Sequence, residues 1–345
     1  MTALRIAVPW MLACLVAAAP LAAAADGLPQ KMRAAAIDRT GGPEVLTLHE
    51  LPVPTVGADE ILIALDTVGV GPWDLDVREK LAYYREKSFP VVLGVDGAGT
   101  VAAVGAAVHD FRVGDPVYAY AWDNPKGGFY AEYVAVPARA AGHVPPGMSL
   151  EDAGAAAVTA LTALQGIDDA LHLRAGETLI IHGASGAVGT LAVQFAKLRG
   201  ARVLASASGA DGVALVRRLG ADAAIDGHHG DIRAAAHAFA PGGVDAVLAL
   251  AGGEALEACI DALKGGGRVA YPSGVQPVPR PRSGVVILKY DALTGPEEFA
   301  RLGQAIGAAK LSVPIAAEFP LAQAAEAHAR MAAGHVLGKV VLRIR

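Results

Sequence analysis

The chain has 345 residues, 53% of them apolar and 18% charged, with a formal net charge of −5. This length admits two domains, the apolar content suits packed globular cores, and an acidic balance without a basic run excludes a nucleic-acid-binding surface. With two cysteines, Cys14 and Cys259, the chain has neither a disulfide framework nor a zinc site built from several thiolates.

At the N-terminus Arg5 is followed by an uncharged stretch, Ile6 to Ala25, and then Asp26. Ala22, Ala23 and Ala24 offer small residues at a cleavage position, so residues 1–25 are expected to be a secretory signal peptide. Pro9, Pro20 and the weak alanine tail argue against an uncleaved anchor, and no twin-arginine pair precedes the apolar stretch. An exported, periplasmic chain without stable membrane insertion is expected; the alternative is a cytoplasmic protein starting at Met32. Once the peptide is removed only Cys259 remains, so no internal disulfide can form.

From Met32 to about Pro146 the chain is a series of short β-rich runs broken by Gly, Pro and Asp, the pattern of a compact β-barrel that turns sharply at Gly94, Gly97, Gly99 and Gly114. A different pattern begins at Glu177-Thr-Leu-Ile-Ile-His-Gly-Ala-Ser-Gly-Ala-Val-Gly189. An apolar strand runs into Gly183, Gly186 and Gly189, and a helix follows with Val188, Leu191, Ala192, Phe195 and Leu198 on one face. Strand, glycine turn and helix N-terminus in that order can hold a diphosphate, because outward N–H groups and the helix dipole favour negative charge and missing β-carbons permit close approach.

Alone, that run is a weak signal; the units after it strengthen it. Strands are expected at Ala201–Ser206, Ala223–Ile225, Val244–Leu250 and Arg268–Tyr271. Helices are expected at Asp211–Leu219, Asp231–Phe239 and Glu254–Leu263, the last stopped by Gly265-Gly-Gly267. The alternation predicts a doubly wound parallel sheet. About twenty residues past the glycines, Ala205-Ser-Ala-Ser-Gly-Ala210 carries no carboxylate for a ribose 2′-hydroxyl; Ser206 and Ser208 there favour NADP over NAD. Pro277-Val-Pro-Arg-Pro-Arg282 reads as a stiff exposed connection to the returning segment.

Several further runs carry a family resemblance. They are Met32-Arg-Ala-Ala-Ala-Ile-Asp-Arg-Thr-Gly-Gly-Pro-Glu-Val-Leu46, Asp59-Glu-Ile-Leu-Ile63, Gly69-Val-Gly-Pro-Trp-Asp74, Phe89-Pro-Val-Val-Leu-Gly-Val-Asp-Gly-Ala-Gly-Thr-Val101, Phe111-Arg-Val-Gly-Asp-Pro-Val117, Gly127-Gly-Phe-Tyr-Ala-Glu-Tyr-Val134 and Gly334-His-Val-Leu-Gly-Lys-Val-Val-Leu342. From Met32 to Ile344 the chain resembles the medium-chain dehydrogenase/reductase superfamily, in its zinc-free, quinone oxidoreductase-like branch. The resemblance implies an α/β protein, with a GroES-like β-barrel catalytic domain plus a Rossmann doubly wound parallel-sheet domain. The catalytic domain would span 31–150 and be completed by 286–345, with the dinucleotide domain at 151–285 and the active site in the cleft between them.

By the same resemblance Thr159 lies beside a nicotinamide. Ser185, Gly186, Ala187 and Val188 hold the diphosphate together with Gly183 and Gly189, Ser206 and Ser208 take the adenosine end, and Gly338-Lys339 the outer face of the cofactor. For Thr159 a role within its helix is an equal alternative. Four positions depart from the family pattern. An asparagine before Pro72 is replaced by Gly71, a lysine after the second strand by Gly212, a tyrosine after the third by Gly227, and an aspartate in the fourth by Ala249. No metal is expected, since Gly69-Val-Gly-Pro-Trp-Asp74 lacks a cysteine and Val95 stands where a histidine would ligate zinc.

An NADP-dependent, zinc-independent reductase of a small-molecule conjugated acceptor, a quinone or an α,β-unsaturated carbonyl, follows, because such acceptors take hydride without strong Lewis-acid help. The alternatives are a zinc-free alcohol dehydrogenase and a non-catalytic nucleotide-binding or scaffold protein. Tyr83, Tyr84 and Tyr130 are conceivable donors to an enolate oxygen, but the sequence identifies no catalytic residue. Relatives are often homodimers.

Overall fold

The computed structural model describes residues 27–81 and 88–345. The expected signal peptide and both Tyr83 and Tyr84 lie outside these residues.

The first half is a barrel-like assembly of short strands: β1 (Lys31–Ile37), β2 (Leu46–Pro52), β3 (Glu60–Val70), β4 (Val91–Val92), β5 (Asp96–Val104), β6 (Pro116–Tyr120), β7 (Tyr133–Pro137) and β8 (Ala141–His143), with helix α1 (Pro72–Lys80) after β3. The chain end returns to it through β15 (Ile315–Pro320), α8 (Ala324–Ala332) and β16 (Lys339–Arg343). The larger sheet runs β15-β16-β3-β5-β6-β8, with β7 also on β3, and a small sheet β2-β1-β4 closes the side. Strand β3 is the hub: it pairs antiparallel with β5, β7 and β16, and Ile61, Ile63 and Leu65 point from it into a core shared with Val101, Val117, Val340 and Leu342. Alternation sends these residues to one face of β3, while Leu62 is buried on the other with Ala103 and Ala135.

The second half begins with α2 (Leu150–Gln165), which leads into β9 (Thr178–His182), α3 (Ala187–Leu198), β10 (Arg202–Ala207), α4 (Gly209–Arg218) and β11 (Ala223–Asp226). It continues with α5 (Ile232–Phe239), β12 (Val244–Ala249), α6 (Glu254–Asp261), β13 (Leu263–Pro272), β14 (Val286–Tyr290) and α7 (Pro296–Ala309). Its sheet is wholly parallel in the order β11-β10-β9-β12-β13-β14. That order reverses direction between β9 and β12, and ligands of doubly wound sheets sit at this switch point, beyond the strands' carboxyl ends. β9 is buried along its whole length, as a central parallel strand must be.

Two boundaries and one connection differ most from expectation. Helix α6 ends at Asp261, and Leu263–Gly267 enters β13: Leu263 already pairs with Val244, and the glycines fill a register shift before Arg268 pairs with Ala246. Gly266 has φ +78° and donates to Gly284 O at 2.9 Å, so the run forms a bulge rather than a helix stop. The nucleotide sheet extends through β14 to Tyr290, past the boundary expected at 285, because Val286–Tyr290 pairs in parallel with Arg268–Pro272. The proline-rich run thus joins two strands of one sheet, tied over α6 by ion pairs of Arg280 with Glu254 and of Arg282 with Glu257 and Asp261.

Helix α2 joins the halves, packing on β3, β5 and β6 of the barrel and on α3 of the nucleotide domain. A β-carbon at Gly154 would run into Thr67 O, so glycine there lets the helix lie directly on β3.

Candidate cofactor cleft

The glycine turn sits at the switch point. Gly183 has φ +81°, and its N–H and that of Ala184 donate to Ser206 O at 3.1 and 2.9 Å, fixing the turn on the end of β10. Gly186 is the N-cap of α3, and a β-carbon at Gly189 would overlap the Gly183 carbonyl and the Ala184 backbone, so α3 lies hard against the turn. The first-turn N–H groups of Ala187, Val188 and Gly189 have no acceptor within the helix. A β-carbon at Gly186, in contrast, would meet only Gly183 O, at 3.6 Å. This open face at a helix N-terminus is the cradle that a diphosphate would fill.

The chain's last segment closes that cradle. Gly186 and Gly338 form a parallel bridge, and Gly338 N–H donates to Ser185 O at 2.9 Å. Ser185 Oγ accepts from Ser208 N–H at 3.0 Å, so this buried hydroxyl binds the turn to the β10–α4 loop and keeps one O–H to donate. Gly212 lies against it: an added β-carbon would sit 3.2 Å from Ser185 Oγ. Thr159, expected beside a nicotinamide, is buried in α2 and directs its hydroxyl to Ala155 O and Ala156 O at 3.0 and 3.3 Å, the helix-interior alternative.

Around Ser206 and Ser208, expected to take the adenosine end, the structure assembles groups that are far apart in the sequence. Ser206 Oγ meets His182 Nδ1 at 3.1 Å, and burial pushes that ring down to about 4. Ser208 Oγ lies 3.1 Å from His228 Nε2 and 3.0 Å from His335 Nδ1, while His335 Nε2 reaches Asp211 Oδ2 at 2.9 Å. The Asp211 contact fixes the His335 proton on Nε2, so Nδ1 accepts from the Ser208 hydroxyl. Asp226 Oδ1 accepts from His228 N–H and Gly209 N–H at 3.0 and 3.2 Å, with its carboxyl held below the usual range by these donors. The Ala205–Ala210 run carries no carboxylate, but Asp211 follows it directly and Asp226 arrives from β11. His228, exposed in the loop after β11, joins this group.

Lys339 turns inward instead of presenting its side chain to a cofactor's outer face; the Gly338 backbone does the closing. The Lys339 ammonium is 2% exposed, lies 3.5 Å from Asp96 Oδ2 and stands over the Trp73 ring at 5.2 Å. Gly69 leaves the space: a β-carbon there would run into the lysine side chain. Beside it Asp74 is 1% exposed and pushed up to about 7, by burial first. Its Oδ2 accepts from Gly71 N–H at 2.8 Å and from Tyr130 OH at 3.1 Å. Tyr130 is also 3.2 Å from His328 Nε2, and Arg78 Nη1 donates to His328 Nδ1 at 3.0 Å. Arg78 therefore fixes the tautomer, and the donors run Arg78, His328, Tyr130, Asp74 toward the start of α1. Tyr130 is committed to that chain. Asp74, His328 and Trp73 were invisible as a group because α1, the β6–β7 segment and α8 meet only in the fold.

The Gly69–Asp74 run, which has no cysteine, and Val95, where a zinc-ligating histidine would stand, bring no such ligand to the cleft. Among the described residues no three His, Cys, Asp or Glu side chains converge.

A sequence profile described as "Alcohol dehydrogenase GroES-like domain" matches residues 57–146, and one described as "Zinc-binding dehydrogenase" matches residues 219–342. The chain is 30% identical over 326 residues to the quinone oxidoreductase of Mus musculus, covering 90% of this chain and 97% of the relative. It is 30% identical to the chloroplastic NADPH-dependent alkenal/one oxidoreductase of Arabidopsis thaliana, over 91% of this chain and 80% of the relative. A solved structure of an NAD-dependent alcohol dehydrogenase superposes with a TM-score of 0.84 at 31% identity, covering 91% of this chain and 100% of that one.

Proposed function

Since the chain belongs to the quinone oxidoreductase branch of the medium-chain dehydrogenase/reductase family, we propose that it moves hydride from NADPH to a quinone or an α,β-unsaturated carbonyl without zinc. Membership makes it an NAD(P)H-dependent oxidoreductase; the acceptor and the choice of NADPH are our reading. The observation that carries it is the open face at Gly186, where the first-turn N–H groups of α3 meet a cleft closed by Gly338.

When bound, the nicotinamide supplies the hydride. This chain's residues do the rest. The glycine turn anchors the diphosphate, α2 and β16 wall the cleft against water, and Ser208, with His228 and His335, lines the adenosine end. Conjugated acceptors suit a site with no cysteine in Gly69–Asp74 and a valine at 95, since their developing charge is spread over the conjugated system.

Asp211 and Asp226 favour a second reading, NADH as the donor, because carboxylates suit a ribose 2′-hydroxyl better than a 2′-phosphate. Purified chain is expected to oxidise NADPH with a panel of quinones and enones, faster than NADH at equal concentration. No turnover with any acceptor would reject the reading, and faster NADH oxidation would select the second. Export remains proposed as well: N-terminal sequencing of the native protein should begin near Asp26, whereas a start at Met32 would refute it.

A further inference from the structure

Three buried polar atoms meet at the barrel floor without a hydrogen-bond partner among the described residues: Trp73 Nε1, Asp96 Oδ1 and Lys339 Nζ. An ammonium has three donors, and leaving them unmade in a dry interior is costly. The 3.5 Å approach to Asp96 Oδ2 supplies charge balance but is too long for a good hydrogen bond. Such an arrangement persists where the site receives a polar guest.

The surroundings place that guest in the cofactor cleft. Lys339 directly follows Gly338, whose N–H is held by Ser185 of the diphosphate turn. From there its side chain reaches the floor beside Val158, whose N–H points to Asp96 Oδ2 at 3.4 Å, next to Thr159. The half-buried Trp73 indole stands over the ammonium, edge-on to Trp122 with ring centroids 6.4 Å apart. Gly71 makes this cover possible, since a β-carbon there would run into the indole. The asparagine-to-glycine departure before Pro72 thus has a local consequence, a tryptophan folded over a buried cation.

We propose that Lys339 is a catalytic cation: with the Trp73 indole turned aside, its ammonium holds the acceptor's carbonyl oxygen and gives it a proton as hydride reaches carbon. This rests on the hydride-transfer reading above. The β-carbon of an enone accepts the hydride and its electron pair, the C=C π pair shifts, and the carbonyl π pair moves onto oxygen as an enolate. One N–H bond of Lys339 breaks as the O–H bond forms, leaving a neutral amine and an enol. The amine regains its proton from solvent when product leaves, and the enol tautomerises to the ketone. A quinone gives its hydroquinone by the same balance. Asp96 holds the cation in place.

Lys339→Met alone strands a buried carboxylate, so the test uses Lys339→Met with Asp96→Asn, checked for wild-type circular dichroism. General acids and oxyanion donors contribute ~10²–10⁴-fold, so enone turnover should fall at least ~100-fold while the NADPH dissociation constant stays within about threefold. The second readout needs no turnover. p-Nitrophenol, titrated optically in the NADP⁺ complex, should ionise at lower pH than free p-nitrophenol in the wild type and not in the double variant. Turnover within about threefold of wild type, loss of NADPH binding in parallel, or no phenol shift in the wild type would each overturn the assignment. If the wild type reduces no acceptor yet shifts the phenol, hydride transfer fails as a reading and the oxygen-holding cation stands.

Discussion

Two alanine substitutions in one turn separate folding from cofactor binding. Gly186 has extended backbone, φ −78° and ψ 177°, and an added β-carbon would meet only Gly183 O at 3.6 Å. Gly186→Ala should therefore fold normally, with a stability change between zero and a gain of ~1 kcal/mol from the stiffened unfolded chain. Its methyl group would occupy the face on which the diphosphate oxygens meet the α3 N–H groups. Losing one charge-assisted hydrogen bond costs ~1.5–3 kcal/mol, a weakening of NADPH binding by roughly 10- to 150-fold. At Gly189 the added carbon overlaps backbone atoms of Gly183 and Ala184, and no side chain can move aside. Overpacking of this kind costs ~1–3 kcal/mol, a melting decrease of roughly 3–10 °C for a domain of this size. Scanning fluorimetry reads the melting decrease and calorimetric titration with NADPH the loss of affinity. Wild-type NADPH affinity in Gly186→Ala would refute the placement of the diphosphate.

His328 is pushed down to about 3 by burial, then by the Arg78 guanidinium, so the folded ring stays neutral while the unfolded ring protonates near pH 6.5. Acidification between those values therefore lowers stability, by at most ~1.4 kcal/mol per pH unit from this ring. His328→Gln, whose amide can accept from Arg78 and donate to Tyr130, should remove nearly one proton's worth of slope in urea unfolding at pH 4–6. Asp74, raised to about 7, acts in the opposite sense in both proteins and cancels in the difference; equal slopes would mean a charged ring. Asp226→Asn keeps the loop's acceptor but removes a negative charge beside Ser208, and should improve NADPH affinity relative to NADH by about two- to fivefold, modest because the site is solvated. An unchanged ratio would place the 2′-substituent elsewhere. Cys259 is buried in α6 and pushed up to about 12 by desolvation, so native protein should leave it unlabelled by iodoacetamide in peptide mapping, with labelling only after denaturation. Rapid native labelling would contradict the packing of α6.

Local signals in the sequence reached the glycine turn and the strands around it, because three glycines and a buried apolar run act over a dozen residues. Edge strand β14 escaped: Val286–Tyr290 is largely exposed, carries a lysine, and gains its place only by pairing with β13. The Gly265–Gly267 run misled because glycine serves both helix ends and bulges, and pairing of Leu263 with Val244 decides between them. Spacing along β10 points to Ser206 and Ser208, whereas the Asp226 and His335 beside them come from β11 and the segment before β16. The inward turn of Lys339 depends on Gly69, on a different strand, leaving a gap for it. No one-dimensional pattern encodes that.

The most direct test of hydride transfer follows the atom itself. NADPH carrying deuterium at the transferring position of the nicotinamide is mixed with chelator-treated protein and cyclohex-2-enone in a single turnover, and the cyclohexanone is analysed by mass spectrometry and NMR. The account predicts ketone one mass unit heavier, with deuterium at the former β-carbon, formed without added metal. Unlabelled ketone, or none unless zinc is restored, would contradict it.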